Sequence, residues 1–228
     1  MKRIGLLGGT SWPSTILYYK RLNELVLEKL GPFHSCPMIL HSIDYHHIKS
    51  RYQDNWPEIP ALLKVEVEKL LSFGPDCLIL CNNTLHKALD LIENDLDLQV
   101  PLFHIVRLTR DYLLQTEKQK VLLLGTRFTM EDDYFKKPLE EAGMTVVTPD
   151  RKDRDDIQEV QTQLSKGMMK PEFEQFFQQI LDKYAGSDAV ILACTELPLA
   201  FNNVRTEMEV ISTIELQCAE AVRFSMPS

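Results

Sequence analysis

The chain has 228 residues, of which 44% are hydrophobic and 25% are charged, a composition typical of a globular protein with a sizeable core. Its 33 acidic and 25 basic residues give a net charge of −8, which disfavours nucleic acid as a partner because phosphate backbones are also negative. The longest apolar runs, such as residues 189–194, are far shorter than the roughly 18 residues that cross a bilayer, so we expect no membrane partner.

Strand and helix patterns alternate along the first half of the chain. Residues 3–7 predict a strand that ends in a Gly-Gly pair, and the helix after it has Pro13 near its first turn and ends at Gly31. Next come a strand over 38–43, a helix over 59–73 and a buried strand over 77–81. A polar turn leads into a helix over 86–92, a strand over 100–104 and a helix that ends near residue 114.

The second half repeats this alternation. Residues 120–124 predict a strand that runs into a second Gly-containing loop, and a helix is expected over 130–143. A strand over 145–148, a helix over 173–184, a buried strand over 189–193 and a final helix over 213–223 complete the pattern.

Two features recur in the two halves at similar offsets. A strand followed by a Gly-rich loop occurs at Gly8 and again at Gly125, and a strand followed by a polar loop occurs at Cys81 and again at Cys194. The repeat predicts two pseudo-symmetric, doubly wound α/β domains, each with a mostly parallel sheet. We expect residues 1–100 and 212–228 in the first domain and 101–211 in the second. Ligand loops at the carboxyl ends of the strands would then face each other across an interdomain cleft.

The cysteines indicate the cellular compartment of the protein, and the histidines indicate whether a metal site is expected. Five cysteines without a CxxC pair are typical of free thiols in a reducing compartment, and the short N-terminal apolar stretch does not make a signal peptide. We therefore predict a cytoplasmic protein. The six histidines form no HExxH or similar pattern, so no metal site is expected.

The polar loops after the two buried strands are the candidate site. Helix N-termini there offer free N–H donors to an anion such as an α-carboxylate. Two roles are open for the polar residues of these loops, which are Asn82, Asn83 and Thr195. They either bind such a ligand or only cap the helices that follow. Cys194 is either a small core residue or a reactive thiol at the junction of loop and helix.

Four segments in order carry a resemblance to a known family. They are GGTSWPST at 8–15, LCNNTLHK at 80–87, GTRFTME at 125–131 and CTE at 194–196. Together they resemble the aspartate/glutamate racemases, amino-acid racemases that use no cofactor. The resemblance implies a homodimer of two-domain α/β subunits in which two acid/base residues, usually cysteines, flank the substrate α-carbon.

The first catalytic position departs from the family pattern. The family usually has Cys-Asn-Thr, whereas here Asn82 precedes Asn83 and Thr84, and Cys81 lies one residue earlier. The amide of Asn82 does not titrate and can only form hydrogen bonds. The chain is most similar to members that have threonine in this position and favour acidic L-amino acids. The resemblance implies Cys194 as the principal acid/base, with a water held by Asn82 or Thr84, or else Cys81, acting on the opposite face.

Further substrate contacts follow from the same resemblance. The resemblance implies donors to the substrate carboxylates from the Gly-rich loop and both polar turns. It also implies a cation for the distal carboxylate and a further substrate contact just before Trp56. The residues concerned are Thr10, Ser11, Gln53, Asn83, Thr84, Lys166, Thr195 and Glu196. Lys166 is alternatively a solvated surface lysine, and Glu196 either binds the substrate amine or only begins a helix.

Three functions remain open from the sequence. The first is an aspartate or glutamate racemase with weak or L-specific activity. The second is an amino-acid-binding homologue that has lost catalysis, which the presence of Asn82 favours. The third is a decarboxylase that needs only one cysteine. The polar Thr10 and Lys166 argue against it, because they favour a charged substrate side chain over an aryl group.

Overall fold

The computed structural model describes residues 1–227 and shows two compact units, each with its own parallel β-sheet. Unit 1 comprises residues 1–104 and the C-terminal residues from Gln217 onward, and unit 2 comprises Ile105–Leu216. The predicted class, two α/β domains with parallel sheets, is confirmed. Unit 1 is thus built from two separate stretches of the chain.

The sheet of unit 1 has three parallel strands in the order β2-β1-β3. The strands are β1 (Ile4–Gly8), β2 (Met38–Ser42) and β3 (Cys77–Leu80). All five residues of the central strand β1 are buried, as expected for an apolar strand with neighbours on both sides. Because the strands are parallel, the loops that follow β1 and β3 begin at the same edge of the sheet.

Four helices of unit 1 follow in the first part of the chain. They are α1 (Trp12–Leu30), α2 (His46–Lys49), α3 (Ile59–Ser72) and α4 (His86–Ile92), with short 3₁₀ turns at Trp56–Glu58 and Glu93–Asp95. Helices α3 and α4 bury their apolar faces in a core with Leu7, Leu78 and Leu80 of the sheet. The backbone N–H of Lys2 donates to the Ser225 carbonyl at 2.8 Å, so the C-terminal segment lies beside the start of β1.

The sheet of unit 2 has four parallel strands in the order β5-β4-β6-β7. The strands are β4 (Lys120–Gly125), β5 (Thr145–Val147), β6 (Ala189–Ala193) and β7 (Glu209–Ser212). Side chains of the central strands alternate between two cores, with Leu122 and Val190 on one face and Leu123 and Ile191 on the other.

Helices cover the sheet of unit 2. They are α5 (Ile105–Gln115), α6 (Arg127–Glu131), α7 (Asp133–Glu141), α8 (Arg151–Ser165) and α9 (Pro171–Lys183), with a 3₁₀ turn at Leu197–Ala200. The last helix, α10 (Thr213–Ser225), begins in unit 2 and ends in unit 1.

The structure differs from the predicted elements at several places, one of which is the short helix α2, which was not predicted. Residues 100–104 form only a single bridge between Leu78 and Leu102, because Pro101 has no N–H with which to extend a ladder. The helix predicted over 130–143 is two helices, since the Asp132 side chain accepts from the Tyr134 N–H and starts a new helix. Helix α8 and the edge strand β7 were not predicted from the sequence.

Across residues 1–227, no helix is long and apolar enough to cross a membrane.

Candidate active site

The loop after β1 is held in place by glycine. Gly9 has φ +82°, and a Cβ there would lie 2.4 Å from the backbone oxygen of Ile43, which follows β2. Its N–H donates to Thr15 Oγ1 at 3.0 Å. Only glycine permits this approach, and the loop is therefore fixed between the end of β2 and the first turn of α1.

Thr10 and Ser11 lie at the end of this loop, and both are buried. Thr10 Oγ1 donates to the Cys81 carbonyl at 2.9 Å, which joins the loop to the end of β3. Ser11 is the N-cap of α1, but its side chain makes no cap hydrogen bond. Among the residues that the structure describes, no partner lies within hydrogen-bond distance of the buried Ser11 Oγ. A buried hydroxyl of this kind is suited to bind a small ligand.

The two candidate proton-transfer positions after β3 differ in environment. Cys81 continues the ladder, since its N–H donates to Leu7 O at 3.0 Å, and its side chain is fully buried. Burial raises the pKa of the Cys81 thiol far above its ordinary range, so this group stays protonated. Asn82 is half-buried, and its Oδ1 accepts from the Leu85 N–H at 2.8 Å. Asn82 therefore holds the turn that leads into α4.

Asn83 and Thr84 follow in the same turn, and both are buried. The carbonyl of Asn83 accepts from the His86 N–H at 3.1 Å, and that of Thr84 accepts from the Lys87 N–H at 3.2 Å. The structure thus brings Thr10 and residues 81–84 together at the carboxyl edge of the unit 1 sheet.

His86 supports the same turn and was not assigned a role from the sequence. Its ring is buried, and Nδ1 donates to the Asn82 carbonyl at 2.8 Å. It packs edge-to-face against His104 at a centroid distance of 4.6 Å. The four-residue spacing from Asn82 to His86 was the available signal, because it allows a side chain in the first turn of a helix to reach back to the preceding loop.

The carboxyl edge of the unit 2 sheet carries the second group of candidate residues. Cys194, Thr195 and Glu196 follow β6 directly, and each is only 4% exposed. Cys194 Sγ lies 2.9 Å from Glu196 Oε2, to which the thiol donates, and Thr195 Oγ1 donates to the same oxygen at 3.2 Å. The carboxylate can therefore accept the thiol proton directly.

The end of β4 lies close to the end of β6, the strand that precedes Cys194. A Cβ at Gly125, the last residue of β4, would lie 3.0 Å from the Ala193 carbonyl and 3.0 Å from Thr129 Cβ. Thr126 caps α6 by accepting from the Thr129 N–H at 3.1 Å. Cys194 also borders an apolar core that includes Met130 and Leu197, which limits the access of water to the thiol.

Gln53 and Lys166 are not at the carboxyl end of a strand in their own units. Gln53 is exposed in the turn between α2 and Trp56, and Lys166 is exposed at the C-terminal end of α8. Within residues 1–227, neither side chain makes a hydrogen bond or ion pair with a residue at a carboxyl edge. In the same part of the chain, no group of three or more His, Cys, Asp and Glu residues is arranged to hold a metal ion.

The chain is similar over nearly its whole length to one protein family. A family model described as Asp/Glu/Hydantoin racemase matches residues 7–221. The broad specificity amino-acid racemase RacX from Bacillus subtilis (strain 168) is 25% identical over 230 residues, which cover 92% of this chain and 92% of RacX.

Two solved structures are similar to the whole chain. The crystal structure of a candidate Asp/Glu racemase from Yersinia pestis covers 100% of both chains at 32% identity, with a TM-score of 0.86. An aspartate racemase homologue from Pyrococcus horikoshii OT3 covers 99% of both chains at 29% identity, with a TM-score of 0.84.

Proposed function

Because the chain belongs to the Asp/Glu/Hydantoin racemase family, we propose that it racemises aspartate or glutamate without a cofactor, with Cys194 as its principal acid/base. Amino-acid racemisation as the general activity is supported by the family and by the similarity to RacX. The proposed role of Cys194 as acid/base is based on the 2.9 Å hydrogen bond from Cys194 Sγ to Glu196 Oε2.

This hydrogen bond supplies a route for the proton of the thiol. Glu196 accepts the proton from Cys194, which leaves a thiolate, and the thiolate then removes the proton from the substrate α-carbon. The C–H bond breaks, an S–H bond forms, and the electron pair stays on the α-carbon as a carbanion. Return of a proton to the opposite face, from a water held by Asn82 or Thr84, inverts the stereocentre, and the hydroxide left behind is neutralised through solvent by the proton that Glu196 holds. Return of the proton from the Cys194 thiol to the same face regenerates the starting enantiomer.

The proposed role of the unit 1 residues is to form hydrogen bonds with the substrate, not to transfer protons. Asn82 has no titratable proton, and Cys81 is buried with its pKa raised, so neither is suited to act as a base. Asn83, Thr84, Thr10 and the Ser11 hydroxyl are proposed to bind the substrate or an ordered water. In unit 2, the backbone N–H of Thr195 is proposed as a further donor to the α-carboxylate, because its hydroxyl donates to Glu196.

The acidic substrate class is supported by the relatives. The Yersinia pestis and Pyrococcus horikoshii proteins are described as Asp/Glu and aspartate racemase homologues, whereas RacX is described as having broad specificity. The exposed Lys166 is the proposed cation for the distal carboxylate. Loss of one positioned acid/base typically costs about 10²–10⁴ in rate, so we expect slow turnover.

Isotope exchange tests the proposal directly. L-Aspartate, L-glutamate and their D-enantiomers are incubated with the protein in D₂O, and deuterium at Cα is followed by NMR. We expect exchange with at least one acidic amino acid, and we expect Cys194→Ala to abolish it. The control is Cys36→Ala, since Cys36 is also buried but precedes β2 and so lies near the opposite, amino edge of the unit 1 sheet. Exchange that persists in Cys194→Ala would refute the role of this thiol.

One observation favours a second function, that of an amino-acid-binding protein without catalysis. The Asn82 side chain, which stands where relatives have an acid/base residue, is occupied as a cap of the Leu85 N–H. An amino acid present at 100 times its Kd would add about 2.7 kcal/mol to the unfolding free energy. Thermal stabilisation by aspartate or glutamate without any deuterium exchange would establish this second function.

A further inference from the structure

The side chain of His86 lies beside the turn that contains Asn82. The ring is completely buried, and its Nδ1 lies 2.8 Å from the Asn82 carbonyl. A carbonyl oxygen can only accept, so Nδ1 carries a proton and donates it. His86 is the first residue of α4, and the bond therefore ties this helix to the peptide group between Asn82 and Asn83.

Further contacts hold the His86 ring in place. The ring meets that of His104 edge-to-face at a centroid distance of 4.6 Å, and His104 is also buried. His104 Nε2 lies 3.1 Å from Oδ1 of Asp90, which follows His86 by one turn of α4. The N–H of Phe103 donates to the Leu78 carbonyl of β3 at 3.0 Å. His86 thus packs against a segment that is itself fixed to the sheet.

Both oxygen atoms of Asn82 accept hydrogen bonds within unit 1. The backbone oxygen accepts from His86, and Oδ1 accepts from the Leu85 N–H at 2.8 Å. Because a backbone N–H requires an acceptor, this contact fixes which end of the amide is oxygen and which is nitrogen. Within residues 1–227, Asn82 Nδ2 makes no hydrogen bond to another residue. The group that Asn82 offers to a ligand or a water is therefore a pair of N–H donors.

We propose that His86 is a positioning residue, which fixes Asn82 as a donor to the water that returns a proton to the α-carbon. This inference rests on the proposed function. When the water protonates the carbanion, an O–H bond breaks, a C–H bond forms and a hydroxide remains. A hydrogen bond from Asn82 Nδ2 strengthens as the water oxygen becomes negative, so it lowers the barrier to this step. The amide itself neither gains nor loses a proton.

This role separates two reactions that share one carbanion. Exchange of the α-hydrogen with return to the same face needs Cys194 and Glu196, which in D₂O hold solvent deuterons and can pass them to each other. Inversion needs, in addition, the water on the opposite face. A change at His86 or Asn82 therefore lowers inversion far more than exchange, whereas a general loss of structure lowers both together.

The ratio of exchange to inversion tests the role of His86. Each enantiomer of aspartate and glutamate is incubated with the protein in D₂O. Deuterium at Cα of the starting enantiomer is followed by NMR, and the opposite enantiomer is followed by chiral chromatography. For His86→Leu we expect inversion to fall by about 10², as for a reacting group misplaced by about 1 Å. Asn82→Leu deletes the donor itself and should lower inversion by about 10²–10³.

Two amide variants separate positioning from packing. His86→Asn places an amide nitrogen near the position of Nδ1, so it should recover inversion. His86→Gln places the nitrogen near the position of Nε2, away from the Asn82 carbonyl, and should not recover it. The control is His34→Leu, the same change at an exposed histidine, which should leave both rates at their wild-type values.

Three results would overturn the proposal. If inversion in His86→Leu is unchanged, or falls by the same factor as exchange, His86 has no positioning role, although racemisation itself stands. Equal inversion in the His86→Asn and His86→Gln variants would exclude the bond to Asn82 as the cause, and this pair still decides if His86→Leu does not fold. A wild type that exchanges no acidic amino acid refutes the proposed racemisation and the role of His86 with it.

Discussion

Thr10 Oγ1 donates to the backbone carbonyl of Cys81 at 2.9 Å, although the two residues are 71 positions apart in the chain. Both residues are buried. The bond joins the loop after β1 to the end of β3, and so fixes two segments of the candidate site relative to each other. A buried carbonyl that loses its donor has no water to replace it, which makes this contact testable.

Thr10→Val removes the donor while it keeps the shape of the side chain. We expect the unfolding free energy to fall by about 1–3 kcal/mol, because the Cys81 carbonyl is left buried without this partner. Urea denaturation measures the change. Thr10→Ser keeps the hydroxyl and should recover most of the loss, and equal stabilities for the valine and serine variants would show that the hydrogen bond contributes nothing.

Gly9→Ala should be more destabilising than Gly31→Ala. Both glycines have positive φ, +82° and +86°, so both substitutions carry a backbone cost of about 1–3 kcal/mol. At Gly31 no atom lies within 4 Å of the new Cβ, whereas at Gly9 the Ile43 backbone oxygen is 2.4 Å away. Thermal unfolding of both variants isolates the steric part, and equal losses would mean that the loop shifts freely.

Glu196→Gln tests the acceptor of the thiol proton. An amide can hydrogen-bond to Cys194 but cannot take its proton, so we expect kcat to fall by about 10²–10⁴ while KM changes little. The control is Glu207→Gln, which makes the same change at an exposed position. A loss that appears in KM alone would instead assign Glu196 to binding of the substrate amine.

Gln217 joins three segments of unit 1 through one buried side chain. Its Oε1 accepts from Tyr18 Oη at 2.6 Å, and its Nε2 donates to the Phe103 carbonyl at 2.8 Å. Gln217→Leu should cost about 1–3 kcal/mol, because the buried Phe103 carbonyl loses its donor. Tyr18→Phe removes only one of the two bonds, so in urea denaturation the double variant should lose less than the sum of the single losses. Strict additivity would argue against a shared network.

Asp150 should contribute stability that depends on pH. Hydrogen bonds from the Lys183 ammonium and then the Asp153 N–H lower the pKa of Asp150 from 3.8 to about 2. A carboxyl whose pKa is lower in the folded state stabilises the fold above its unfolded pKa. That contribution is lost as pH falls from about 4 to about 2.

Asp150→Asn removes this charge and retains a residue type that caps helices well. We expect the variant to be slightly less stable than the wild type near neutral pH, with a difference that disappears as the pH approaches about 2. The effect should be small and should weaken with salt, since Lys183 and Asp150 are about half exposed. Urea denaturation over a pH series measures it, and a difference that is independent of pH would contradict the assignment.

The strands that could be predicted were those buried on both faces. Continuous apolar runs such as Cys77–Leu80 and Ala189–Ala193 were recognised from the sequence, and with the repeated loops they were enough to predict two parallel-sheet units. The sequence patterns predicted neither the edge strand β7 nor the helix α8, for two different reasons. Strand β7 lies at the sheet edge with only Ile211 buried, so it has no continuous apolar run, and α8 is so polar that its apolar residues, Ile157, Val160 and Leu164, are few.

The sequence indicated which residues lie at the carboxyl edges but not what they contact. The segments around Thr10 and Cys81 were both recognised, whereas the bond between them depends on the β1–β3 register. The cap that Asn82 provides for Leu85 was one of two alternatives that a polar turn left open. The contact between Cys194 and Glu196 depends on the local backbone after β6, which the tripeptide alone does not specify.

The split sequence of unit 1 sets an order for folding during synthesis. Unit 2 is one continuous stretch, so it can fold once Leu216 has emerged from the ribosome. Unit 1 needs Gln217 against Phe103 and the Ser225 carbonyl against Lys2, so its core is completed only after these later residues have emerged as well. A truncated chain that ends at Leu216 would therefore retain every residue of unit 2 but lack the Gln217 and Ser225 contacts that close unit 1.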